Sequence, residues 1–166
     1  MKKLRKGFTL VELLVVIAIL GALSATMTSS MQNSTSSAKA SAILSNISSA
    51  KQAGVLYFSD HVFDDSASAA NLEFTSDTLK SGTDAGGYID IDKFASTNTK
   101  YKASGTKGLA NAKDWVIVCD FNGEPDAKEI AAILIKNPAL KDVVFEANKY
   151  CFSVTVLDGR AALATF

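Results

Sequence analysis

The most pronounced pattern along the chain is an apolar run near its amino terminus. From Phe8 to Ala25 the only ionisable side chain is Glu12. At a helical rise of 1.5 Å per residue this stretch reaches roughly 27 Å, close to the thickness of a bilayer's hydrocarbon core. Ser24 to Ser37 follows with nine Ser or Thr in fourteen residues, side chains that compete with the backbone for hydrogen bonds. Beyond it Ile43, Ile47, Ala50, Gly54 and Phe58 recur every three or four positions, flanked by Leu44 and Val55. This is the stripe of an amphipathic helix, with Asn46, Lys51 and Gln52 on the wet face. The pattern predicts one long helix over 8–59, ending near Ser59-Asp60. It would span roughly 78 Å, far beyond an ordinary globular helix, and without the sustained heptads and flanking charges of a coiled coil.

The second half alternates between turn signals and short periodic runs. Tyr88-Ile89-Asp90-Ile91-Asp92 alternates as a short strand does, and Trp115 to Phe121 is a continuous apolar run that predicts a buried strand. Asn122-Gly123 marks a turn. Asp126 to Lys136 places Ala127, Ile130, Ala131, Leu134 and Ile135 on one helical face and stops at Asn137-Pro138. Lys149 to Leu157 sets Tyr150, Phe152, Val154 and Val156 against Ser153 and Thr155, a half-exposed antiparallel strand. Asp158-Gly159 then turns into a last strand over 160–166. A sheet with one apolar face needs a cover, and the carboxyl-terminal half of the long helix supplies it. The predicted class is α+β, a long amino-terminal helix laid on a small antiparallel sheet, with 60–166 as the globular head.

Charge changes the picture at one end only. Lys plus Arg and Asp plus Glu are both 17, which excludes a strongly basic nucleic-acid binder, and 166 residues allow one domain with an appendage. Four of the basic residues sit in residues 1–7; taking them from the 17 leaves 13 against 17 acidic. A basic stretch before an apolar run is a targeting signal whose basic end stays in the cytoplasm. Three fates are open: a secretory signal peptide cut near Ala22-Leu23-Ser24-Ala25, an uncleaved anchor, or a cut on the cytoplasmic side that leaves the apolar run on the mature chain. Glu12 discriminates among them, because a carboxylate within an apolar span costs a few kcal/mol, ~2.5 or more, unless paired. A cut between Gly7 and Phe8 would create a partner, the α-amino group of Phe8 in a neighbouring chain; otherwise Glu12 snorkels to the near membrane surface.

Lys6-Gly7-Phe8-Thr9-Leu10-Val11-Glu12-Leu13-Leu14-Val15-Val16-Ile17-Ala18-Ile19-Leu20-Gly21 resembles the class III signal of type IV pilins and type II secretion pseudopilins. The resemblance covers about the first 25 residues. It implies the pilin fold, cleavage between Gly7 and Phe8 by a prepilin peptidase, N-methylation of Phe8, and neutralisation of that amino group by Glu12 of an adjacent subunit. It further implies a homo-oligomeric helical filament with 8–25 as its core, raised by inner-membrane assembly machinery. The chain would lie in the bacterial inner membrane first and in an extracellular pilus afterwards. Adhesion, surface motility or DNA uptake would be its work, with a minor pilin or secretion pseudopilin as the alternative within the family. Many relatives carry a proline eight residues after the glycine matched by Gly21; here that position is Ser29. Gly21 and the Ser/Thr stretch leave local unwinding of 21–37 in a filament open. A non-polymerising exported or anchored binding module is the reading of a different class.

Cys119 and Cys151 fall in or beside two predicted strands. Export to an oxidising compartment predicts a disulfide, and closing the 119–151 loop would contribute about 3.7 kcal/mol in the chain-entropy model. The resemblance strengthens that pairing, and two buried free thiols are the alternative. The single histidine, His61, reads as a solvated loop residue. Asp84, Asp90 and Asp92, or Asp60, Asp64 and Asp65, lack the tight spacing of a calcium loop and read as solvated acids. No phosphate loop, dinucleotide fingerprint, CxxC or nucleophile elbow occurs, so nothing points to catalysis, a cofactor or a specific nucleic-acid site. Asn33-Ser34-Thr35 and Asn46-Ile47-Ser48 match a glycan sequon, as a Ser/Thr-rich helix does by chance.

Overall fold

Helix α1, Leu10–His61, carries both the apolar run and the amphipathic stripe. The computed structural model describes residues 8–63, 70–81 and 87–166, and the side chains of 25–30 and 32 are outside that description. By contacts the chain divides into two units, Met1–Ser36 and Ser37–Phe166. In the first, the described apolar side chains from Phe8 to Leu23 all face solvent. α1 is helical through 21–37 in the single chain, so the unwinding left open for a filament has no counterpart here.

The second unit is built around a four-stranded sheet in the order β1 (Lys100–Ser104), β2 (Val116–Asp120), β3 (Cys151–Thr155), β4 (Ala161–Leu163), each neighbouring pair antiparallel. Side chains alternate across it. Tyr101, Ala103, Ile117, Cys119, Phe152 and Val154 share the core with Ala40, Ile43, Ile47, Ala50 and Tyr57 of α1. Small residues at 40, 50 and 54 let the helix lie close. A Cβ on Gly54 would come within 2.8 Å of Val156 Cγ1, so glycine sets the depth of contact there. Asn46 is half-buried rather than fully solvated, and its Nδ2 donates to Tyr101 Oη at 3.1 Å.

At the end of α1 an aromatic cluster closes the core. Trp115 is fully buried, stacked on Phe74 with centroids 4.8 Å apart, and donates its indole N–H to Thr106 O at 3.2 Å. Lys39 fastens the other end of the packed helix segment, contacting Glu124 at 2.8 Å and Asp126 at 2.5 Å. These two carboxylates, Asp126 first, raise the affinity of Lys39 for its proton.

Between β2 and β3 the chain forms α3, Ala127–Leu134, whose Ala127, Ile130, Ala131 and Leu134 are buried as the spacing predicts, while Ile135 is exposed. β3 and β4 are joined by a turn in which Gly159 takes φ +70, the left-handed region that glycine adopts without strain.

Two elements differ from the pattern. Tyr88 to Asp92 is not a strand: Tyr88 and Ile89 both donate their amides to Leu79 O in the short helix α2 (Ser76–Ser81), and Ile91–Phe94 forms a 3-10 turn that buries Ile91. Lys100–Ser104 is a strand that its sequence barely announces.

Candidate functional site

The amino-terminal segment begins with a reciprocal cap. Thr9 precedes the first helical residue, and its Oγ1 accepts the amide of Glu12 at 3.2 Å. In return Glu12 Oε2 accepts the Thr9 amide at 2.9 Å and the Thr9 hydroxyl at 2.8 Å. This is a capping box, which satisfies amide groups that have no partner within the first helical turn. Glu12 also stands in the first turn, where the helix dipole favours an anion. Thr9 is not among the residues singled out from the sequence as carrying function; the T-x-x-E spacing is the signal that finds it.

Behind the cap the surface is greasy on all sides. Phe8 is 80% exposed, Leu10 78%, and Leu13, Leu14, Val15, Val16, Ile17, Ile19, Leu20 and Leu23 are all exposed. A helix apolar all round has no wet face to offer, so its stable surroundings are lipid or other helices. Gly21 has nothing within 4 Å of where a Cβ would stand, so packing within one chain does not demand glycine. Gly7 and the Gly7–Phe8 bond lie outside the described residues. Among the described residues no helix is long and apolar enough to cross a membrane. The apolar part of α1 whose side chains are described, 10–24, reaches roughly 22 Å at the helical rise, short of the 8–25 stretch read from the sequence.

The expected disulfide is not formed. Cys119 and Cys151 are both buried free thiols. The reason lies in the strand register, which pairs Cys119 with Phe152 and Cys151 with Asp120. Paired residues share a face and successive residues alternate, so the two thiols project from opposite faces of the sheet. Cys119 enters the core beside Tyr101, whereas Cys151 lies on the other face. Two cysteines whose Cβ vectors diverge cannot be bridged without moving backbone. Burial, assisted by the Asp120 carboxylate, pushes the Cys151 thiol up to about 11. Burial also drives Cys119 and Tyr101 upward, so neither ionises near neutral pH.

The remaining candidate chemistry is absorbed by structure. His61 is not in a loop; it is the last residue of α1, its ring 4.5 Å from that of Tyr57 and its Nδ1 2.8 Å from Tyr57 O. Asp60 accepts the Tyr88 hydroxyl at 2.6 Å. Asp90 and Asp92 converge on Lys80 at 3.5 and 3.6 Å rather than on a metal position. Asp64, Asp65 and Asp84 lie outside the described residues. Among the described residues no group of three or more His, Cys, Asp or Glu could hold a metal ion.

The family model described as the prokaryotic N-terminal methylation motif matches residues 2–28. No curated protein and no solved structure matches the chain. The α+β arrangement of residues 37–166, a helix on an antiparallel sheet, is consistent with the pilin fold. The amino terminus of this chain carries the class III signal that is the hallmark of type IV pilins and pseudopilins.

Proposed function

We propose that this chain is a structural subunit that polymerises through its apolar amino-terminal helix into an extracellular type IV pilus filament serving adhesion, surface motility or DNA uptake. A prepilin peptidase removes residues 1–7 and methylates the new amino group on Phe8. The subunit waits in the inner membrane, held by 8–25, until assembly machinery extracts it. The observation that carries this reading is the match to the methylation motif over 2–28, with Glu12 as the single acid in an otherwise apolar run.

Polymerisation has a physical drive. Once the subunit has left the membrane, each large side chain between Phe8 and Leu23 that a packed bundle keeps from water contributes about 1 kcal/mol or more. Glu12 sets the register, since a subunit misplaced by one step would leave its charge buried and unpaired. The role is structural and needs no catalytic group.

Intact mass and amino-terminal sequencing of the protein recovered from cells test the proposal. The expected mature chain opens with methylated Phe8. A chain beginning near Ala25 or Thr26 would instead support the exported, non-polymerising module and overturn the filament.

A further inference from the structure

Two surfaces of the 37–166 unit are unfinished in complementary ways. A groove of about 680 Å³ runs between α3 and the 141–150 segment. Its apolar lining includes Ala132, Phe145 and Tyr150, together with Ile135 at 42% and Val144 at 78% exposure. Lys128 and Lys141 line it as well. Glu146 shares the wall but is held by Lys149 at 2.5 Å. Among the described residues neither Lys128 nor Lys141 has an ion-pair partner, so the groove's uncompensated charge is positive.

The second surface is a knob just past the end of α1. Phe63 is 93% exposed, more than any other large hydrophobic side chain described, and Val62 beside it is 42% exposed. Asp60 precedes the pair, and in the sequence Asp64 and Asp65 follow it directly. Phe63 does not line the groove of its own chain. An aromatic residue this exposed, with acids beside it in the sequence, and an apolar groove bearing lysines are the two halves of an interface: the apolar contact supplies affinity and the charges supply steering and register.

We propose that Phe63, with Val62, of one copy docks into the Lys128–Lys141 groove of a neighbouring copy. The two patches differ, so the contact is heterologous; repeated without the rotation closing a ring, it extends as an open helical array. The inference rests on the filament reading and extends it from the amino-terminal helix to the heads.

Cysteine cross-linking of the full chain tests the docking. Phe63→Cys combined with Val144→Cys, treated on intact cells with a short thiol cross-linker, is expected to give a ladder of oligomers in sheared polymer that neither single variant gives. The native thiols are buried and stay silent. Phe63→Ser and the pair Lys128→Glu with Lys141→Glu alter exposed side chains that the fold does not use, and each is expected to lower polymer yield by about fivefold or more. Polymer at wild-type yield from these variants, or no ladder in polymer that forms normally, overturns the docking while the filament reading stands. So does a Val144→Cys thiol shielded from maleimide while the Phe63→Cys thiol reacts freely, since another occupant then fills the groove. If the wild-type chain yields no polymer, the filament reading falls by itself. Cross-linking of the detergent-solubilised full chain then decides the docking: dimers uphold it and monomers alone overturn it.

Discussion

The two cysteines offer the sharpest test of the fold, because their chemistry depends on the strand register. Only a thiolate reacts with an alkylating reagent. With its pKa pushed up to about 11, Cys151 is about one part in a thousand thiolate at pH ~8, whereas an ordinary thiol near 8.5 is about one part in four. That lowers the reactive thiolate fraction by about two orders of magnitude, and burial of the side chain slows alkylation further. Cys119 is fully buried and pushed further in the same direction. The assay treats the purified chain, never exposed to reductant, with iodoacetamide under native conditions and again in denaturant, and counts adducts by intact mass. The expected result is almost none in the folded protein and two in the unfolded one. Zero adducts in denaturant would mean a disulfide. A bridge would require β3 to slip by one residue on β2, which turns Phe152 and Val154 out of the core, so that result would refute the sheet as described. The same groups fix the sign of a pH effect. Their folded pKa lies above the unfolded value, so the unfolded state releases its protons first. Stability then falls as pH rises from the ordinary thiol range toward 11.

Three further outcomes follow from packing and charge. In Gly105→Ala the new methyl would sit 2.4 Å from Trp115 Cδ1 in a filled core, so unfolding free energy should drop by about 1–3 kcal/mol; an unchanged melting temperature would refute that packing. Lys39→Met leaves Glu124 and Asp126 facing each other without their cation. Since Lys39 is 33% exposed the loss should be about 1 kcal/mol by chemical denaturation, and equal stability would show the bridge to be idle. Gly159→Ala forces a side chain into φ +70 and against Lys51 Nζ at 2.5 Å, costing about 1 kcal/mol or more; a variant as stable as the parent would contradict that turn.

Much of this fold is legible in the sequence wherever one face is strongly apolar. The stripe from Ile43 to Phe58 reads as a helix because Ile43, Ile47 and Ala50 repeat at helical spacing; the buried set includes all three, and also Ala40 and Tyr57, which the pattern does not single out. β2, β3 and α3 announce themselves by runs or periodic spacing of apolar residues, and β4 by the Asp158-Gly159 turn before it. Lys100–Ser104 does not, since its inward face offers only Tyr101 and Ala103 and its other face two lysines. Tyr88 to Asp92 alternates well enough for a strand, yet Leu79 O takes the amides of Tyr88 and Ile89, and local pattern cannot reveal which acceptor a backbone finds. The disulfide fails for a related reason. Two cysteines beside adjacent strands are near in space, but facing is a property of register, and register is fixed by partners that are distant in the chain. At the amino terminus the pattern is local, and the methylation motif matched over 2–28 includes both Phe8 and Glu12.

In the proposed filament, Glu12 is where local structure and assembly would meet. A carboxylate in an apolar helix is costly when it has no partner. In the single chain it has one, because Oε2 takes both donors of Thr9. That leaves Oε1 for the neighbour's amino group, so pairing between chains would not require the cap to break. Glu12→Ala would remove cap and charge together and confound the two. Glu12→Gln separates them, since Gln serves as well as Glu at the third helical position of a capping box but carries no charge. If charge pairing sets the register, Glu12→Gln should be processed normally between Gly7 and Phe8, keep its helix start, and still assemble poorly, as read by mature mass alongside sheared polymer. A Glu12→Gln chain that polymerises as well as its parent, while Thr9→Ala fails, would show that the carboxylate serves the helix end and that register comes from elsewhere.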